Sequence, residues 1–73
     1  MRTGRYRIYR DITNGQYRWL MGPESPLSTE EKQILSHVRR GDPIGLVGME
    51  AHVSERTLSR RLAYIRQCIH DLT

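Results

Sequence analysis

The sequence predicts a mainly α domain with an N-terminal β-hairpin, in which three helices form a helix-turn-helix that lacks a fourth helix. Three observations carry this. Asn14-Gly15 stands between two apolar, alternating runs, and that dipeptide is the strongest short-range hairpin signal, because a type I′ turn needs positive φ at both central residues. Ser28, Asp42 and Ser54 each precede a segment with helical spacing and are residue types that cap helix N-termini. Leu58, Leu62, Ile65, Ile69 and Leu72 recur as one apolar stripe with a period near 3.6.

The hairpin is expected over residues 5–21. Folding about Asn14-Gly15 gathers Tyr6, Ile8, Ile12, Tyr17, Trp19 and Met21 on one face. It sets Asp11 opposite Arg18 and Tyr9 opposite Leu20 on the other. A lone hairpin is barely stable in water, so its apolar face must rest on the helices. Residues 22–26, with Gly22, Pro23 and Pro26, read as a linker because prolines interrupt regular structure.

Residues 27–73 read as the helical part. Ser28 is the expected N-cap of the first helix, with Glu31 completing a capping box. Ile34, Leu35 and Val38 form its inner stripe, and Gly41 stops it. Asp42 is expected to cap the next helix, with Pro43 at its first position. That short helix should run to about Glu50, with Ile44 and Val47 inward and Gly48 allowing close approach. Ser54 should cap a longer third helix over about 55–70, whose side away from the leucines carries Arg56, Arg60, Ala63 and Gln67.

Seventy-three residues make one domain, and a chain this short buries only about 60% of its unfolded surface, so the core is thin. Disulfides, metals or partner subunits usually compensate. Cys68 is the single cysteine, and His37, His52 and His70 are scattered without metal-ligand spacing. Self-association is therefore the expected remedy, as a homodimer in which the hairpin packs on the helices or pairs with its copy. No run is apolar enough to cross a membrane and no signal peptide is evident, so the expected location is cytoplasmic, with no membrane partner. Nothing resembles a nucleophile–base pair, a phosphate-binding glycine loop or a carboxylate pair in a cleft. No enzyme activity and no cofactor are expected.

The net charge is +4 and Lys32 is the sole lysine, so the positive charge is almost all arginine. Arginine's planar fork suits phosphates and guanine edges, although a codon bias toward arginine would give the same total. The basic residues concentrate in the two ends of the chain, flanking a nearly neutral middle.

The run Leu27-Ser28-Thr29-Glu30-Glu31, then Ile34-Leu35, Gly41, Val47-Gly48 and Val53-Ser54-Glu55-Arg56-Thr57-Leu58 resembles the LuxR/GerE helix-turn-helix domain, without gaps from Leu27 to about Ile65. Thr57-Leu58-Ser59-Arg60-Arg61-Leu62 with Arg66 and Ile69 is similar to sigma factor region four. The stretch from Val53 to Arg61 is similar to AraC-type units. Two positions depart from the LuxR pattern: Gly48 replaces the usual alanine, and Ser59 stands where a lysine is expected. The fourth, dimer-forming helix of that family has no counterpart before Thr73.

The resemblance implies a small bacterial or phage transcription regulator that binds double-stranded DNA with its third helix in the major groove. By position, Arg56, Ser59 and Arg60 should meet base edges. Thr57, Arg61 and Arg66 should hold phosphates, with Arg39 and Arg40 as further backbone contacts. A pair of modules would then read a near-palindromic site, with half-sites about one helical turn apart. The competing expectation is a protein-interaction module that binds RNA polymerase, a sigma factor or another regulator, with the hairpin edges available to a partner sheet.

Overall fold

The computed structural model describes residues 6–72, and among them the chain is helical. The order is α1 (Arg7–Asp11), α2 (Asn14–Met21), α3 (Thr29–Arg40), α4 (Ile44–Ala51) and α5 (Glu55–Leu72). Arg5 and Thr73, at the limits of the expected hairpin and helical part, lie outside the described residues.

The expected β-hairpin is therefore corrected to two helices. Thr13 accepts a hydrogen bond from the Gln16 backbone N–H at 3.1 Å, while the Gln16 side chain accepts from the Thr13 N–H at 2.9 Å. This capping box makes Asn14 and Gly15 the first residues of α2. Neither has positive φ, as a type I′ turn would require of both.

Burial follows the helical period rather than the alternating one. Tyr9 and Leu20, expected on the outer face, are 3% and 0% exposed, whereas Trp19, expected on the inner face, is 46% exposed. Tyr9 and Ile12 are three apart, and Tyr17 shares a face with Leu20 and Met21, so each short helix buries one side. Arg39 holds the junction between them. Its guanidinium donates to the carbonyls of Ile12 at 3.0 Å and Arg10 at 3.4 Å, donates to Asn14 Oδ1 at 2.9 Å, and lies 4.6 Å from the centre of the Tyr17 ring.

α3 is closed at both ends by the groups its sequence offers. The Ser28 hydroxyl accepts from the Glu31 N–H and Glu31 Oε1 accepts from the Ser28 N–H. Gly41, at φ 90°, donates to the Val38 carbonyl at 3.0 Å, and the Asp42 N–H donates to that of His37 at 3.1 Å.

Asp42, expected to cap α4, instead turns back onto α3. Its carboxylate accepts from His37 Nδ1 at 2.9 Å and Arg40 at 3.0 Å, and these two bonds, His37 first, hold its pKa below the ordinary value. Pro43 takes the N-cap position of α4 and supplies no side-chain bond. Packing holds α4 in its place: Val47 and Ala51 are buried, and Ile44 packs at the edge of the core.

Residues 52–54 join α4 to α5. His52 adopts the left-handed conformation (φ 57°, ψ 42°), the N–H groups of His52 and Val53 close α4 on the carbonyls of Met49 and Gly48, and the Ser54 hydroxyl accepts from the Thr57 N–H. Leu58, Leu62, Ile65, Cys68 and Ile69 of α5 complete one core with Leu20, Ile34, Leu35, Val38 and Val47. Among the described residues no helix is long and apolar enough to cross a membrane.

Candidate nucleic-acid interface

The turn at His52 and the cap at Ser54 launch α5 with its leucine side against α3 and α4. Its other side is left to solvent, and Arg56, Ser59, Arg60 and Ala63 are all exposed there. Arg56 lies three and four positions before Ser59 and Arg60, and Ala63 four and three after them, so the four cluster on one side of the helix. Arg56 and Arg60 thus project as free forks on either side of a small serine, next to an alanine that lets the backbone approach a surface. The three residues expected to read base edges are brought together.

The five residues expected at phosphates divide. Arg66 is exposed. Its charge reaches inward to the Tyr9 phenol, whose pKa burial raises and Arg66 partly lowers. Thr57 is half-buried at the start of α5, its hydroxyl accepting from Ser54 Oγ at 3.1 Å. Arg40 is exposed, and shares its charge with Asp42.

Arg61 and Arg39, both half-buried, are engaged with neighbouring helices. Arg61 Nε forms an ion pair with Glu30 at 3.0 Å, and a terminal nitrogen donates to Glu31 Oε2 at 3.2 Å. Glu31 is 5% exposed, and its other oxygen closes the capping box of α3. Every polar group of this carboxylate is used, and Arg61 ties α5 to the first turn of α3. Arg39 is engaged with the junction of α1 and α2. Both arginines supply internal hydrogen bonds, so their charge is partly spent within the fold.

Two aromatic residues border the exposed face. A groove of about 340 Å³ between α3 and α5 is lined by Thr57, Arg60, Arg61, Tyr64 and Glu31, and Tyr64 is 44% exposed. On the opposite border Tyr6 lines a groove of about 370 Å³ with Arg56, Ser59 and Leu62. Tyr64 was legible as a site residue, since it stands four positions after Arg60 on the same helix. Tyr6 was not, because its approach depends on α1 lying along α5. That packing is fixed by the buried Tyr9 hydroxyl, which donates to the Leu62 carbonyl at 2.8 Å across 53 positions of sequence.

Cys68 belongs to the core rather than to this surface. Burial pushes its thiol upward, with a smaller opposing effect from its hydrogen bond to Tyr64, and a raised thiol pKa makes a poor nucleophile at neutral pH. His52 is exposed, and its place in the left-handed turn is structural.

The arrangement offers hydrogen-bond donors and positive charge to an extended, negatively charged ligand. Among the described residues no three metal-ligating side chains converge. No family model, curated protein or solved structure matches the chain.

Proposed function

We propose that the protein is a sequence-specific DNA-binding regulator of transcription, working in the cytoplasm, which seats the exposed face of α5 in the major groove of a duplex. One observation carries the reading: Arg56, Ser59 and Arg60 share a solvent-exposed face while the opposite side of the same helix is core. A major groove about 12 Å wide admits a helix whose outward side chains can reach base edges, and arginine is the residue that pairs bidentately with guanine. Arg66 and Thr57 flank that face and suit the sugar-phosphate backbone, with Arg40 as a more distant contact. Arg61 supports the reading indirectly, by holding α5 against α3 so that its outer face is presented rigidly.

The test is titration of duplex DNA over a salt series, with sites selected from a random pool. Arg60→Ala should lose about 1–3 kcal/mol of binding to the selected site and relax preference at one base pair. Arg66→Ala should weaken all duplexes alike and flatten the salt dependence. Affinity that does not fall with salt would end the proposal.

A further inference from the structure

In a chain with twelve basic residues, α4 carries none, and its one charged side chain is Glu50. Its outer side is apolar instead: Leu46 and Met49 are 42% and 74% exposed. Beside Met49 a groove of about 210 Å³ opens between α4 and the start of α5, with Ile44, Gly48, Val53 and Leu58 as apolar walls and Glu55 on its rim. A phosphate backbone would find the Glu55 carboxylate and no basic side chain lining this groove, with Glu50 exposed on the same helix as Met49. The space is smaller than the roughly 300 Å³ at which small-molecule sites begin, and suits one large side chain.

α2 presents the complement. Trp19, the one tryptophan of the chain, is half-exposed beside the exposed Arg18, and α2 holds no acidic residue. Trp19 does not line the groove of its own chain.

We infer that the α4 groove receives Trp19 of a second copy, with Arg18 of that copy beside Glu50 and Glu55. Tryptophan and arginine are the side chains that most often anchor an interface. A two-fold pairing of α4 with α4 would set Glu50 and Glu55 against their equivalents, and α2 with α2 would set Arg18 against Arg18. The contact therefore joins α2 of one copy to α4 of the other. Made reciprocally, two such contacts close a two-fold dimer; made singly, the contact propagates. This inference is independent of the DNA reading.

Sedimentation equilibrium of the full chain, without DNA, tests it together with Trp19 fluorescence. The weight-average mass should rise with concentration to at least that of a dimer, and Trp19 emission should shift to the blue as the indole leaves water. Trp19→Ala and Met49→Glu should each be monomeric with helical circular dichroism unchanged. An equimolar mixture of the two should reach a dimer and stop, because each mixed pair retains one intact knob and one intact groove. If Trp19→Ala does not fold, Met49→Glu alone must abolish the concentration-dependent blue shift. A wild-type chain that stays monomeric with unchanged emission overturns the inference, whether the groove is empty or serves another partner. Variants that remain dimeric, or that fail to complement each other, also overturn it.

Discussion

The two halves of the chain are held by different forces. α3, α4 and α5 share a core of aliphatic side chains, several of them fully buried. α1 and α2 contribute Tyr9, Ile12 and Leu20 to that core, but their seating also relies on two polar tethers, Tyr9 to Leu62 and Arg39 to the α1–α2 junction. Apolar packing tolerates small shifts, while a hydrogen bond to one carbonyl specifies a place. The difference suggests that the carboxyl-terminal helices supply most of the stability and the amino-terminal pair is positioned by a few directional contacts.

The largest expected effect tests the first half of that contrast. Ile65→Ala removes a fully buried side chain and should cost about 2–5 kcal/mol, lowering the denaturation midpoint of the whole chain. Arg39→Ala comes next, at roughly 1.5–3 kcal/mol for lost charge-assisted bonds. Its signature is faster amide exchange in α1 and α2 with α5 protected, and Arg39→Lys should not restore it, since lysine lacks the planar fork. If exchange rises uniformly, the two halves are one cooperative unit and the contrast fails.

Gly48→Ala is expected to stabilise by up to about 1 kcal/mol. An added Cβ would meet the Val53 carbonyl at 3.5 Å and Leu58 at 3.6 Å, which is ordinary contact, so the close approach expected at this glycine is not required. A loss of stability in urea titration would show that α4 is packed more tightly than those distances imply.

The smallest effect is acid-dependent. Asp42 has a folded-state pKa below its ordinary value of 3.8, through His37 first and Arg40 second. Its contribution is therefore present above pH 3.8 and is lost as pH falls below that value toward the depressed pKa. Asp42→Asn should lower stability slightly at neutral pH and abolish the fall across that acid range, so that variant and parent converge at low pH.

The carboxyl-terminal half was legible because its signals agree. Ser28 with Glu31, Gly41, Ser54 and the leucine stripe all specify the same helices, and the structure uses each of them. In the amino-terminal half two local signals conflict. Thr13-Asn14-Gly15-Gln16 contains both a hairpin dipeptide and a threonine–glutamine capping pair, and the capping pair prevails because Ile12, Leu20 and Tyr9 then reach the core. A short apolar run fits either period, and only the partner surface decides between them. The exposed arginines of α5 could be read from helical spacing. The engagement of Arg39 and Arg61 could not, because their acceptors lie 25 to 30 positions away.

Glu31 joins events that the chain keeps far apart. One oxygen begins α3 and the other grips Arg61, so the carboxylate acts as a strut between a helix start and a helix flank. A change at Ser28 that lets this side chain swing would loosen the seat of α5, and with it the aim of Arg60, without altering any group on the outer face.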